Sequence, residues 1–422
     1  MRICLASQFA EGLWLSWKFA QEGHESSAVV EKERYGEALK GLVTVMPGSG
    51  VYEASTYDLV VFDATGMGKM ADQAREEVPT IGDSELADKL EEDRVYALDF
   101  LVRCGCTVAP WEAFSNPADG LRHIKKRNRA MVFKPVGTND DKSTTYVSRS
   151  ANDMVRYFDV LFRSAKVSEY ILQDYVEGVE ISTEAYLNST GCYALNHTLE
   201  IKKFLNGDLG PNTGCSGSLT WMAKKDNALF EKSLKKCVEP LQEMGYVGPI
   251  DLNVIVNQEG VWALEFTPRF GYDASALLTR LLPIGFGDFL FSIANEDIPP
   301  DLTAKHPFCA SVRLSVPPYP CEGLPDKFYK AGVPIDGLTE DCLDRFFIYD
   351  VRKRGESDDL ETAGLCGWVG SPLAVGETIG AAFEGAYGML DSITVPQAQY
   401  RTDICENTSK RYWALRESGL LK

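Results

Sequence analysis

Two acidic residues, Asp251 and Glu265, stand inside what otherwise reads as an apolar β-hairpin. The arms are Pro249–Val256 and Val261–Phe266, joined by the turn Asn257-Gln258-Glu259-Gly260. A carboxylate amid apolar strand residues is costly unless it is paired or bound to a metal. A fold that buries this hairpin must therefore pair these acids or bring a metal to them. Two acids facing one another across the turn make a hard oxygen site suited to magnesium bridging phosphates. A pair of acids on a solvated strand face is the plainer alternative. Thr267-Pro268-Arg269 sets a cation beside the acids and favours the metal, and Arg269 can stabilise charge on a transferring phosphoryl group.

Three more features share the middle of the chain. Phe133-Lys134-Pro135 puts a lysine at the end of a strand, Ala130–Lys134, and the polar loop Gly137–Thr145 carries Lys142. Together the two ammonium groups can hold a triphosphate from two sides, although singly each reads as a surface charge and Asp140-Asp141 would repel phosphate. The segment Gln173-Asp174-Tyr175-Val176-Glu177-Gly178-Val179-Glu180 offers extended backbone to an adenine edge and an acid to ribose hydroxyls; read plainly it is a bent strand. Gly207–Gly217 is dense in glycine, which serves a tight loop or a close approach to a ligand, and Lys202-Lys203 lies just upstream.

Around this centre the chain predicts an α/β protein. Arg2–Ala6, Ser27–Val30 and Asp58–Phe62 read as buried strands and Glu11–Glu22 as a helix, an alternation that implies a parallel sheet covered by helices. Ser84 caps a predicted helix over Glu85–Val102, and Val108-Ala109-Pro110 reads as a hinge. A long helix is expected over Asn227–Met244, Pro299-Pro300 marks a boundary, and the last unit has short strands (Ala310–Val316, Phe346–Asp350) and a helix at Ile379–Leu390. A net charge of −18 argues against nucleic acid as the main partner. Within that field Lys125-Lys126-Arg127-Asn128-Arg129 reads as a solvated helix end. No run approaches the ~20 apolar residues of a membrane span. Eleven scattered cysteines and four histidines show no zinc spacing and fit a reducing, cytoplasmic setting.

Asp208–Gly217 is similar to Gly-Asp-Gln-Gly-Pro-Asn-Thr-Gly-Gly-Met-Gly, and Leu264-Glu265-Phe266-Thr267-Pro268-Arg269-Phe270-Gly271 to Leu-Glu-Phe-Asn-Ala-Arg-Phe-Gly. Both are motifs of the phosphoribosylamine–glycine ligase family, within the ATP-grasp superfamily. Glu91–Phe100, Trp17-Lys18 and Tyr400-Arg401-Thr402-Asp403-Ile404 also fit, so the resemblance runs along essentially the whole chain. It implies an N-terminal parallel-sheet pre-ATP-grasp domain (1–109), a central α+β ATP-grasp domain (110–300) and a small mixed C-terminal domain (301–422). The central domain would divide into an ATP-binding subdomain over 115–180 and a catalytic core over 181–300. The activity implied is ATP-dependent joining of an amino acid carboxylate, such as glycine's, to an amine through an acyl phosphate. ATP and magnesium, or manganese in its place, would be the cofactors. By the same resemblance Arg94 (in a lysine position), Lys134, Lys142 and Lys202 contact ATP, Gln173, Asp174, Tyr175 and Val176 frame adenine, and Glu180 takes the ribose. Asp251 and Glu265 hold the metal, while Arg269, Lys142 and Asn212 are the catalytic candidates.

The departures fall mostly on the amine side. Phe9-Ala10-Glu11-Gly12-Leu13 replaces the Gly-Gly-Arg-Glu-His that cradles the ribose phosphate, and Gly214-Cys215-Ser216 replaces Gly-Gly-Met. Ile348-Tyr349-Asp350-Val351 replaces His-Ala-Gly-Thr, and Thr267 stands where the family has a second metal ligand, Asn. A ligase acting on a different amine and a non-catalytic ATP-binding relative are the alternatives this leaves open.

Overall fold

A computed structural model describes residues 1–46, 53–136, 145–164, 167–321 and 323–421. The N-terminal strands are β1 (Arg2–Ser7), β2 (Glu25–Val30), β3 (Val45–Met46), β4 (Leu59–Phe62) and β5 (Thr80–Ile81). They form a parallel sheet in the order β3-β2-β1-β4-β5. Alternate side chains of β1 and β4 point to opposite faces, and both faces are covered. Ile3, Leu5, Leu59 and Val61 pack in the cluster of α1 (Leu13–Gln21), while Cys4, Ala6, Val60 and Phe62 pack in that of α2 (Gly68–Arg75).

The predicted Glu85–Val102 helix is two helices, α3 (Glu85–Glu92) and α4 (Arg94–Arg103). Asp93 breaks them apart, because its carboxylate caps the new helix by accepting the N–H of Tyr96 at 2.9 Å. A four-stranded antiparallel sheet follows, from β6 (Trp111–Phe114), β7 (Met131–Pro135), β8 (Tyr146–Val147) and β9 (Tyr170–Asp174), with α5 (Pro117–Arg127) and α6 (Ala151–Ser164) behind it. Met131, Phe133, Tyr170 and Leu172 join that core, so the alternation turns Lys134 and Ile171 to the opposite, open face.

The largest sheet is antiparallel and seven-stranded. It comprises β10 (Val179–Asn188), β11 (Gly191–Leu205), β12 (Leu209–Met222), β13 (Gly248–Asn257), β14 (Gly260–Thr267), β15 (Phe308–Val312) and a short strand at Ala374–Gly376. From the hairpin edge the order is β14-β13-β10-β11-β12-β15 and then Ala374–Gly376. The strand after Pro299-Pro300 thus completes the middle sheet, so the boundary expected at residue 300 does not separate two layers. The glycine-dense stretch is not an open loop: Asn206–Asp208 is a tight turn, with φ +70° at Gly207 and +55° at Asp208, and β12 runs on from it. The long helix expected over Asn227–Met244 is broken into α7 (Ala228–Lys232) and α8 (Lys235–Glu243). Ser233 leaves helical geometry there (φ −126°, ψ −109°), and its hydroxyl donates back to the Leu229 carbonyl. α9 (Tyr272–Leu281) and α10 (Phe286–Ala294) follow the hairpin, and α11 (Ile379–Asp391) and α12 (Ile404–Glu417) close the chain. Among the described residues no single helix is long and apolar enough to cross a membrane.

Candidate active site

Register decides what one face of the large sheet presents. Residues paired across neighbouring strands share a face. Thr267 pairs with Asp251, Asp251 with Glu184, Glu265 with Asn253, and Asn253 with Ser182. The two hairpin acids are therefore diagonal rather than opposed. A bulge between Asn253 and Val254 shifts the ladder, and it leaves Asn253, which the hairpin pattern alone did not single out, facing Glu265. Asn253 donates to Asp251 Oδ2 at 2.9 Å and accepts from Ser182 Oγ at 3.0 Å, which fixes the Asp251 carboxylate. Its other oxygen, Oδ1, is buried without a hydrogen-bond partner.

Glu265 is open to the cleft rather than enclosed by apolar neighbours. Loss of bulk water there raises its carboxyl; Lys134, Lys202, Arg94 and Arg269 outweigh that and hold it below the usual carboxylate range. Asp251 is pushed the other way, well up, first by burial and then by Glu184 and Glu200. Lys134 is lowered by burial, against the pull of Glu265. Lys202 Nζ reaches Glu180 Oε1 at 2.6 Å and Glu200 Oε2 at 3.8 Å. Arg269 Nε donates to Glu91 Oε1 at 3.0 Å, and Arg94 Nη1 to the Pro135 carbonyl at 2.9 Å.

These residues line two adjoining spaces. A cleft of about 1000 Å³ has Arg94, Lys134, Glu91, Ile171, Glu265 and Arg269 in its walls. A cavity of about 840 Å³ has Asp251, Asn253, Glu184, Glu200, Lys202, Glu265, Arg269 and Arg313. Glu265, Thr267 and Arg269 belong to both.

Residues 92–275 match the family described as phosphoribosylglycinamide synthetase, ATP-grasp (A) domain. The phosphoribosylamine–glycine ligase of Caulobacter vibrioides is 26% identical over 420 residues, covering 92% of this chain and 94% of that protein. The Streptomyces coelicolor ligase of the same name is 25% identical, covering 79% of this chain and 80% of that protein. The crystal structure of phosphoribosylamine–glycine ligase from Thermotoga maritima superposes with a TM-score of 0.73 at 20% identity, over 96% of this chain and 100% of that one. Residues 92–275 are an ATP-grasp domain, and the chain around them resembles the phosphoribosylamine–glycine ligases. A biotin carboxylase domain from Hydrogenobacter thermophilus, solved with magnesium-ADP, shares the fold more distantly, with a TM-score of 0.64 at 11% identity over 94% of this chain and 91% of that one. That carboxylase domain holds magnesium with ADP, and the phosphoribosylamine–glycine ligases are named for the amine and the carboxylate they join.

The donors fit such a metal. Among the described residues no three His, Cys, Asp or Glu side chains are grouped as a protein cage. Magnesium needs none, since one or two carboxylates with phosphate and water oxygens complete its octahedron. The unpartnered Asp251 Oδ1 and the exposed Glu265 carboxylate are such a pair.

The other expected residues of this ATP-grasp chain divide. Arg94 and Lys134 line the cleft with Glu265, and Lys202 lies near Glu265 while paired with Glu180. Gln173 is buried and donates to the Ala109 carbonyl at 3.3 Å. Asp174 faces the helix side, where Arg127 and Arg129 clamp its carboxylate, so its side chain is not available to adenine. The basic run at 125–129 is thus partly a clamp and not only a solvated helix end. The amide N–H groups of Asp174 and Tyr175 are already donated to the Pro110 and Ala130 carbonyls, and only other groups of this segment remain for a base edge. Val176 is partly buried just beyond β9. Asn212 is exposed on β12 opposite Lys203, outside the cavity wall. Lys142 lies outside the described residues.

Glu184 and Glu200 escaped the sequence reading, though a period of two from Glu180 and from Lys202 would have found them. Asp63 had no local signal. It is buried behind the first loop, where its Oδ2 accepts from Ser7 Oγ at 2.6 Å and from the Gly12 N–H at 2.7 Å. Gly12 is required, because a Cβ there would sit 2.6 Å from that of Asp63. Burial pushes the Asp63 carboxyl up to about 6, from 3.8 in an open chain. The fold therefore holds this proton more tightly than the unfolded chain does. The resulting stability is full below about pH 4 and lost as pH rises through 6, about 3 kcal/mol in all. The D63N variant keeps an acceptor and cannot titrate. Denaturant unfolding from pH 4 to 7 should show wild type losing about that much stability relative to D63N; a constant difference would refute the assignment.

Proposed function

We propose that this ligase activates the carboxylate of a small amino acid, such as glycine, as an acyl phosphate and passes it to an amine held in the adjoining cavity. The observation that carries the reading is the shared wall: Glu265 and Arg269 line both the cleft with Arg94 and Lys134 and the cavity with Asp251. Bound magnesium-ATP supplies the phosphoryl group that turns a carboxylate oxygen into a leaving group. Lys134, Arg94 and Lys202 neutralise phosphate oxygens on the cleft side, against a chain whose net charge of −18 disfavours them. Glu265 and Asp251 hold the metal at the junction. Arg269, steadied by Glu91, stabilises charge on the group in transfer. The amine nitrogen then forms the C–N bond and releases a proton to solvent as the C–O bond to phosphate breaks and phosphate leaves with the electron pair. No enzyme nucleophile is needed, so catalysis is positioning and electrostatics. A cytoplasmic setting belongs to the same reading.

One observation favours an amine other than phosphoribosylamine. In the resembling family the first loop cradles a ribose phosphate, whereas here the N–H of Gly12, at the start of α1, is taken by the Asp63 carboxylate. Glu11 and Asp63 line the small space beside it, and two acids there oppose a phosphate. Magnesium-dependent ADP release, measured across amino acids with and without phosphoribosylamine, tests both statements. ADP should form with an amino acid plus a non-phosphorylated amine. A strict requirement for phosphoribosylamine would sink the second statement, and ATP binding without ADP from any pair would sink the first.

A further inference from the structure

The cavity has a second side that phosphoryl transfer does not use. Arg313 follows β15, separated from the β13–β14 hairpin by the three strands β10, β11 and β12, and it is 6% exposed. Its Nη1 donates to Tyr319 Oη at 2.9 Å, its Nη2 lies 3.3 Å from Asp273 Oδ2, and the guanidinium sits 3.7 Å from the centroid of the Trp368 ring. Its Nε is buried with no partner. Buried donors are almost always satisfied, and a guanidinium that only pinned β15 to α9 would not leave its inner N–H orphaned in a cavity wall. Gly214 leaves the wall bare beside it: a Cβ at that position would stand 3.8 Å from Arg313 Nη1. Nε together with an Nη presents the fork that takes a carboxylate through two parallel hydrogen bonds.

Between Arg313 and the hairpin stand Glu184 and Glu200. Lys202 is within ion-pair distance of Glu200, at 3.8 Å, but no described basic side chain is that close to Glu184. The cavity thus offers an anion receptor on one side, an acid row in the middle, and the transfer residues on the other.

We propose that the amine substrate is itself a zwitterionic amino acid, its carboxylate on the Arg313 fork and its ammonium against Glu184 and Glu200. This rests on the ligase reading above and names the class of its second substrate. The ammonium gives one proton to the acid row to become the nucleophile and sheds a second as the C–N bond forms. The product is an N-acylated amino acid, with Arg313 setting specificity and taking no part in the bond changes.

The test uses the full chain with magnesium-ATP and glycine as carboxylate donor. Candidate acceptors are amino acids, the matching amino-acid amides, which lack the second carboxylate, and alkylamines of similar size. Amino acids should support ADP release and a mass-spectrometric amide product at a KM about tenfold or more below that of the amides. The R313K variant keeps the charge beside Asp273 and loses the fork. It should raise the acceptor KM about tenfold or more, leaving the ATP KM unchanged and the protein folded at the assay temperature. Amides or alkylamines serving equally well would overturn the proposal while the ligase stands. So would an R313K that shifts ATP KM along with acceptor KM. If no pair releases ADP, the ligase reading fails, and calorimetric titration of the same compounds into the magnesium-ADP protein decides the site. Binding that needs the carboxylate and is lost in R313K upholds it; carboxylate-independent binding, or none, overturns it.

Discussion

The E265Q variant should release ADP about a thousandfold more slowly than the wild type, or not at all, while melting within a few degrees of it. The substitution is nearly isosteric, so the ladder pairing with Asn253 and the packing of Phe266 are retained. What changes is charge. Lys134, Lys202, Arg94 and Arg269 all act on this one carboxylate, and Glu265 is a wall residue of both spaces. On the proposed reading an amide there removes a metal ligand, and it leaves four cations without their shared anion, so phosphates would be held too tightly or in the wrong place. Because the side chain is exposed to the cleft, water takes over its solvation and the cost to folding stays small. The measurements are steady-state ADP release with saturating magnesium and a thermal melt. Unchanged kcat/KM would refute the metal site; a collapsed melting temperature would mean that Glu265 holds the fold instead.

That hairpin also shows how far the sequence could be read. Its two arms, its turn and its acids were visible because a turn motif separated two apolar runs. The diagonal placement was not, because a bulge of one residue at Asn253 leaves no mark in apolar alternation. The same limit explains Asp93 and Ser233, where a side chain competing for backbone hydrogen bonds ended a helix that periodicity continued. Asp174 read as part of an adenine frame because its partners, Arg127 and Arg129, lie 45 or more residues away and were read as solvated. That the first loop departs from the family's Arg-bearing loop was legible in Phe9-Ala10-Glu11-Gly12-Leu13. That a carboxylate 51 residues on occupies the freed N–H was not. Cation-carrying strand ends and acids survive translation into structure because desolvation forces each to a cleft or a partner; which partner is a tertiary fact.

The chain beyond residue 300 is tied back to the middle sheet through β15, and the largest effect on stability should come from that part of the chain. Arg401, in the Tyr400–Ile404 segment, is 2% exposed. Its guanidinium donates to the Lys203 carbonyl at 2.8 Å, to Asp208 Oδ1 at 2.9 Å, and to Asp403 through Nε at 2.8 Å and Nη2 at 2.7 Å. Asp208 is one of two left-handed residues of the β11–β12 turn, and Asp403 accepts the N–H of the other, Gly207, at 2.8 Å. One buried cation therefore clamps the glycine-dense turn to the chain's last helix. R401A would leave two carboxylates facing each other around a void, at a cost of about 3 kcal/mol. That is the lower end for breaking a buried pair, since Arg411 still reaches Asp208 at 3.1 Å and water reaches the turn. Denaturant unfolding should show that loss, and R401K, which keeps charge without the fork, should recover only part of it. The hairpin also carries Lys202 and the bare wall at Gly214, so ADP release should fall in R401A even at temperatures where the protein is folded. Full activity in a destabilised R401A would show that the turn is held for stability alone; unchanged stability would show that Asp208 and Asp403 do not need the cation, and the clamp would be no more than a surface contact.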